Sequence, residues 1–107
     1  KLRSYHINPT DGRVVLLHLP ITPWEAALGA SIQVPTLGGA VSLKIPAGSQ
    51  SGKRMRLKGR GLPGVPPGDQ LVILEIVTPP ADTEEGKALY QRMAESFTFN
   101  PRARLGG

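Results

Sequence analysis

The sequence predicts a mainly β fold, a small β-sandwich or sheet domain with one short docked helix and a C-terminal amphipathic helix. Short apolar runs with alternating side chains recur between residues 13 and 80, and such alternation is typical of half-buried strands. Most of the 13 glycines and 11 prolines lie between these runs, where they form turns. The length of 107 residues corresponds to one small domain.

The first strand is expected in the apolar run at residues 13–19, bounded by Pro20. Asp11 and Gly12 precede it, and this dipeptide accepts the positive φ angles of a tight hairpin turn.

A short helix of about two turns is predicted over residues 22–29. Thr22 is the expected N-cap, a proline follows at the first helical position, and Glu25 completes a capping box. Its apolar side chains are expected to dock on the sheet, and a glycine to end it. The residues expected to have these structural roles are Trp24, Leu28 and Gly29.

The middle of the chain predicts further strands. Residues 31–34 and 40–45 alternate with period two around a glycine-containing loop, which indicates a hairpin. Residues 53–58 form another alternating run. Residues 70–77 form the most regular strand of the chain, and Pro79–Pro80 ends it.

The alternating run at residues 53–58 and the residues that follow are basic, and no acid occurs between Glu25 and Asp69. Two interpretations stay open: an anionic contact, or a solvated face whose charge protects an edge strand from aggregation. Since no aromatic residue interrupts the run, bound nucleic acid would be duplex, held by its phosphates and shape. The candidate contacts are Lys53, Arg54, Arg56, Lys58 and Arg60.

The last quarter of the chain changes in character. Residues 82–85 provide an N-cap and first-turn acids, and apolar residues then recur every three or four positions. Packing on its own domain is one interpretation. We favour self-association, because a small domain can hardly cover so many large apolar side chains. The candidate dimerisation residues are Leu89, Tyr90, Met93, Phe97, Phe99 and Leu105.

The composition argues against an enzyme. There are no cysteines and two histidines, and His18 within an aliphatic strand is better explained by an ordinary hydrogen bond than by catalysis. We therefore expect no catalytic residue, no metal site and no cofactor. No apolar run approaches the length of a membrane span, and the net charge of +5 favours anionic partners.

Three regions are expected along the chain. Residues 1–12 would connect to a preceding domain, residues 13–80 would form the β-rich domain, and residues 81–107 would form the dimerisation helix and tail. The chain starts without methionine, so we expect a piece of a longer protein.

Several segments, taken in order, resemble the C-terminal substrate-binding domain of DnaJ-type co-chaperones, above all the bacterial members that bind curved DNA. The segments are Leu-Pro-Ile-Thr-Pro-Trp-Glu-Ala-Ala-Leu-Gly-Ala at 19–30, Val-Pro-Thr-Leu at 34–37, Ile-Pro-Ala-Gly-Ser-Gln-Ser-Gly at 45–52, Arg-Leu-Lys-Gly-Arg-Gly-Leu at 56–62, Gly-Asp at 68–69 and Phe-Asn-Pro-Arg at 99–102.

The resemblance implies a longer protein with a J-domain, a Gly/Phe linker, two β domains and a dimerisation segment. This chain would be the second β domain with that segment, a non-catalytic co-chaperone module that contributes to unfolded-protein binding and homodimerisation. A DnaK-type chaperone would be engaged through the J-domain, whose His-Pro-Asp tripeptide does not occur here. The alternatives are curved duplex DNA as a nucleoid-associated partner, or a pure spacer and dimer arm. A bacterial cytoplasmic location is implied in each case.

Overall fold

The computed structural model describes residues 5–7, 14–61 and 68–105. Their elements, in chain order, are β1 (Tyr5–Ile7), β2 (Val15–Ile21), α1 (Pro23–Leu28), β3 (Ala30–Val34), β4 (Val41–Ile45), β5 (Arg54–Leu57), β6 (Gln70–Ile76) and α2 (Glu84–Ser96). The predicted mainly β fold with two helices is confirmed. The expected turn at Asp11 and Gly12 lies outside the described residues, as does most of the expected connector, of which residues 5–7 are paired as β1.

The strands of the described part form two sheets. One has the order β1-β2-β6-β5, in which β2 and β6 are parallel and the outer strands are antiparallel to their neighbours. The other is the predicted hairpin of β3 and β4, with Val34 opposite Val41. Because β2 and β6 are parallel, the chain must cross over between them, and α1 and the hairpin lie within this crossover.

The core lies between the two sheets. Alternate residues of β2 and β6 are buried, as expected for strands with one face against the core. Val72 and Leu74 of β6 are completely buried, and Val34 and Ile45 of the hairpin belong to the same cluster. Burying one such side chain contributes about 1.5–3 kcal/mol.

Pro20 does not end β2, contrary to our expectation, because the strand continues to Ile21. The Val15 N–H donates to the backbone carbonyl of Asp69, the residue before β6. The Ile21 carbonyl accepts the N–H of Val77, the residue after β6. Since alternate residues of a strand bond to the same neighbour, the backbone of Pro20 faces away from β6. The described part of β1 pairs only with residues 15–17 of β2, so the missing N–H of Pro20 interrupts no described pairing.

Helix α1 begins as predicted. The Glu25 N–H donates to Oγ1 of Thr22 at 3.2 Å, and the Thr22 N–H donates to Oε1 of Glu25 at 2.9 Å. Gly29 ends the helix at φ +85°, and a Cβ there would lie 3.0 Å from the carbonyl oxygen of Ile45. Glycine is required there by both the φ angle and the close approach of strand β4.

The expectation that α1 docks through Trp24 and Leu28 is wrong, since these side chains are 57% and 78% exposed. Ala26 is the buried residue of the helix. The connection after β4 lies directly against this turn, where the Ser49 N–H donates to the Ala26 carbonyl at 2.9 Å. Backbone this close leaves room for alanine, so the larger side chains point elsewhere.

Helix α2 starts after Thr83, whose Oγ1 accepts the Gly86 N–H at 3.0 Å. Glu84 and Glu85 lie in the first turn, where carboxylates are stabilised by the helix dipole. The helix has no buried residue. In the described part of the chain, neither helix is long and apolar enough to cross a membrane.

Candidate functional site: an apolar cleft and a basic sheet edge

An open apolar cleft lies between the start of α1, the diproline after β6 and helix α2. Its volume is about 380 Å³. The hydroxyl of Tyr90 donates to the Pro79 carbonyl at 2.6 Å, which ties the helix to the segment that follows the sheet. The side chains that line the cleft include Pro23, Trp24, Pro79, Leu89, Tyr90 and Met93.

The predicted apolar stripe of the C-terminal segment is largely uncovered by its own domain. Tyr90 is half-buried. The other candidate dimerisation residues are 48–77% exposed, and they are Leu89, Met93, Phe97, Phe99 and Leu105. Trp24 adds its exposed indole at the same end of the molecule. Clustered apolar exposure of this kind is typical of a surface that contacts another polypeptide.

The basic run forms the edge strand of the larger sheet. Met55 and Leu57 point towards the core, whereas Arg54 and Arg56 are exposed on the opposite face, as the alternation predicts. Lys58 lies in the turn after β5 rather than in the strand.

A bulge precedes β5. Gly52, at φ +91°, donates its N–H to the Leu74 carbonyl, and the Leu74 N–H donates to the Lys53 carbonyl. Two residues thus oppose one, with glycine in the left-handed position, which is the pattern of a G1 bulge. Lys53 is exposed beside this bulge, just before the strand.

Asp69 compensates part of the basic charge. Its carboxylate accepts hydrogen bonds from the Gly59 N–H at 2.8 Å and from Nη1 of Arg56 at 2.7 Å. The Gly59 hydrogen bond, followed by the Arg56 guanidinium, holds the pKa of Asp69 below its ordinary value. The charge of Arg56 is therefore partly screened by Asp69, through a contact that the sequence pattern did not reveal.

The five candidate cations do not share one face. Arg54 and Arg56 lie on the outer face of the sheet, while the guanidinium of Arg60 lies close to the β3–β4 loop, 3.4 Å from where a Cβ on Gly38 would be. The structure thus brings Arg54 and Arg56 together and separates them from Arg60.

The outer face of the larger sheet also carries a hydrogen-bonded pair, His18 and Glu75, whose pairing the sequence pattern did not predict. Nδ1 of His18 on β2 lies 2.8 Å from Oε2 of Glu75 on β6, which agrees with the ordinary hydrogen bond expected for His18. Among the described residues, no group of three or more His, Cys, Asp or Glu could hold a metal ion.

These features define a class of protein: a two-sheet β domain with a capped helix in the crossover, a basic sheet edge and an exposed C-terminal helix. The chain belongs to the DnaJ C terminal domain family, whose match covers residues 4–79. This confirms the resemblance seen in the sequence.

Three relatives named "Curved DNA-binding protein" are similar to the chain. The protein of Coxiella burnetii (strain RSA 493 / Nine Mile phase I) is 52% identical over 106 residues, which are 99% of this chain and 34% of the relative. That of Serratia proteamaculans (strain 568) is 49% identical over 78% of this chain and 28% of the relative. That of Salmonella newport (strain SL254) is 48% identical over 82% and 29%. The chain spans about a third or less of their lengths.

Proposed function

We propose that this chain is a non-catalytic co-chaperone module that contributes to unfolded-protein binding and to homodimerisation. One observation carries the proposal: the apolar cleft beside Trp24 continues into the exposed stripe of α2 and the tail. Such a surface suits contact with polypeptide, and its residues offer no catalytic arrangement.

Dimerisation follows from the two parts of this surface. Each copy has an open cleft and an exposed apolar segment, Phe97 to Leu105, that continues beyond α2. In a twofold dimer, the same patch on both copies can exchange these elements, so that each covers the other. Two weak client sites held in one dimer would then gain effective concentration.

Removal of residues 82–107 tests the dimer. The core consists of residues between Val14 and Leu74, so the shortened chain is expected to fold and to sediment as a monomer. A chain lacking only residues 98–107 separates the role of the tail from that of the helix. A shortened chain, 1–81, that still sediments as a dimer would overturn the dimerisation assignment.

Unfolded-protein binding is tested by the ability of the chain to suppress aggregation of a chemically denatured protein. Suppression that saturates near one chain per client supports the module's part in client binding. Absence of suppression by a chain that still dimerises would favour the alternative of a spacer and dimer arm.

The DnaK-type partner belongs to the longer protein. A J-domain before the β domains, as the family resemblance implies, would engage that partner, and the greater length of the relatives, about three times that of this chain, supports this proposal. The site of action would be the bacterial cytoplasm, in protein folding and the stress response.

Curved duplex DNA is the second candidate ligand, with nucleoid association as its consequence. It is supported by the name that the relatives carry and by the exposed cations Arg54 and Lys58. The slope of log affinity against log salt is negative, and each lost phosphate contact should reduce its magnitude by about 0.9. Arg54→Ser with Lys58→Ser tests this, and Lys44→Ser with Lys87→Ser is the control with the same charge change. An equal slope in both would exclude the basic edge.

A further inference from the structure

Strand β5 ends its sheet, and no other strand of the described residues pairs with its outer side. The Leu74 N–H donates to the Lys53 carbonyl at 2.9 Å. Since alternate residues of a strand bond to the same neighbour, the backbone groups of Met55 and Leu57 face β6. The N–H and C=O groups of Arg54 and Arg56 therefore face outwards, and such a row can pair with another extended chain.

The two faces of this edge differ in chemistry. Arg54 and Arg56 are exposed on the outer face, whereas Met55 and Leu57 are half-buried against the margin of the core. A strand added here would place alternate side chains beside the arginines and beside the apolar margin. Its complementary pattern is thus an acidic residue alternating with an apolar one.

The charge on this edge is only partly compensated. Arg56 already binds Asp69, but the ion pairs of the described residues do not include Arg54 or Lys58. Both side chains are exposed, so they are available to carboxylates on an added strand. The bulge at Gly52 and the turn at Lys58 limit the edge to four residues, which suits weak and transient binding.

We propose that the open edge of β5 binds an extended polypeptide segment in which acidic and apolar residues alternate. The inference rests on the proposed unfolded-protein binding and names the class of segment and the strand that holds it. Duplex DNA fits the same edge less well, because phosphates offer no donor to the outward carbonyl groups of Arg54 and Arg56. An added peptide strand uses the donors, the acceptors and both side-chain faces.

The test uses the purified chain and a blocked hexapeptide that alternates glutamate with valine. Titration followed by amide resonances should shift Arg54 and Arg56 most strongly and slow their amide hydrogen exchange. A peptide with the same six residues in two blocks has equal charge without alternation, and should bind more weakly. Equal binding of both peptides, or no protection of these amides, would overturn the proposal.

Arg54→Glu should lower the affinity for the alternating peptide roughly five- to tenfold, because attraction between the arginine and the peptide glutamates is replaced by repulsion. Lys44→Glu makes the same charge change on the exposed face of β4 and should leave the affinity unchanged. An equal loss of affinity in both variants would also overturn the proposal. So would shifts of the Arg54 and Arg56 amide resonances with duplex DNA but not with the peptide. Aggregation suppression is measured in parallel. Suppression without peptide binding refutes the β5 inference alone, whereas loss of both refutes the proposed function too.

Discussion

The carboxylate of Asp69 lies 2.7 Å from Nη1 of Arg56. Asp69 is the first acid after Glu25 in the sequence, and it fixes one of the two arginines on the outer face of β5. It also accepts the Gly59 N–H, so it closes the turn between β5 and the segment before β6. One carboxylate therefore shapes the hairpin and pairs with Arg56. Arg54, the other arginine of the strand, belongs to none of the ion pairs among the described residues.

Asp69→Asn should reduce stability in a pH-dependent way. The pKa of Asp69 is lower in the folded chain than its ordinary value of 3.8, so its bonds stabilise the fold above that value. This contribution is lost as pH falls through the lowered pKa. The difference in Tm between the original chain and the variant should be constant above about pH 5 and shrink below about pH 4. Asp82→Asn, at an exposed position before α2, is the control. Parallel curves for the original chain and D69N at every pH would contradict the assignment.

Gly29→Ala should destabilise the chain by more than about 1 kcal/mol relative to Gly48→Ala. Both glycines have positive φ angles, +85° and +79°, and Gly29 combines its φ with a ψ of 155°, a region that is almost restricted to glycine. They differ in space: a Cβ at 29 would meet the Ile45 carbonyl at 3.0 Å, and a Cβ at 48 has no atom within 4 Å. Urea unfolding of both variants measures the difference. Equal losses would show that neither the ψ angle of Gly29 nor its contact with Ile45 adds to the cost of a positive φ.

Ala26→Leu should cost about 1–3 kcal/mol, because Ala26 is 3% exposed between the core and the backbone after β4. Leu28→Ala should change stability by less than about 0.5 kcal/mol, because that side chain is 78% exposed. Thermal unfolding of both variants checks the pair. A large loss in L28A would restore the original expectation that Leu28 docks the helix.

Local features of this fold could be predicted from the sequence. The capping box of Thr22 and Glu25 involves neighbours in the chain, and the alternation of β5 and β6 assigns each side chain to a face. The parallel pairing of β2 with β6 could not be predicted in the same way. Alternation fixes which face is apolar, whereas the partner strand is chosen by the packing of segments more than 50 residues apart.

The candidate site was predicted less completely, for physical reasons. Hydrophobicity favoured Trp24 as a side chain that docks α1 on the sheet, but the space beneath α1 is set by the backbone near Ser49, which no local pattern reports. The contact between Arg56 and Asp69 depends on how residues 13 positions apart meet across a turn. The periodicity of α2 did identify an apolar stripe, because helical spacing is a local property, but not what covers it.

Leu89→Ser combined with Met93→Ser should weaken self-association about tenfold or more, since large apolar side chains near an interface centre dominate binding. Both residues line the cleft and are 58% and 48% exposed. Because no residue of α2 is buried, the sheet domain should fold normally, which circular dichroism can check. Gln91→Ser combined with Glu95→Ser has the same spacing on the opposite side of the helix and should leave the dimer constant unchanged. Sedimentation equilibrium measures both pairs. Equal weakening would show that helix propensity, rather than the apolar cleft, controls association.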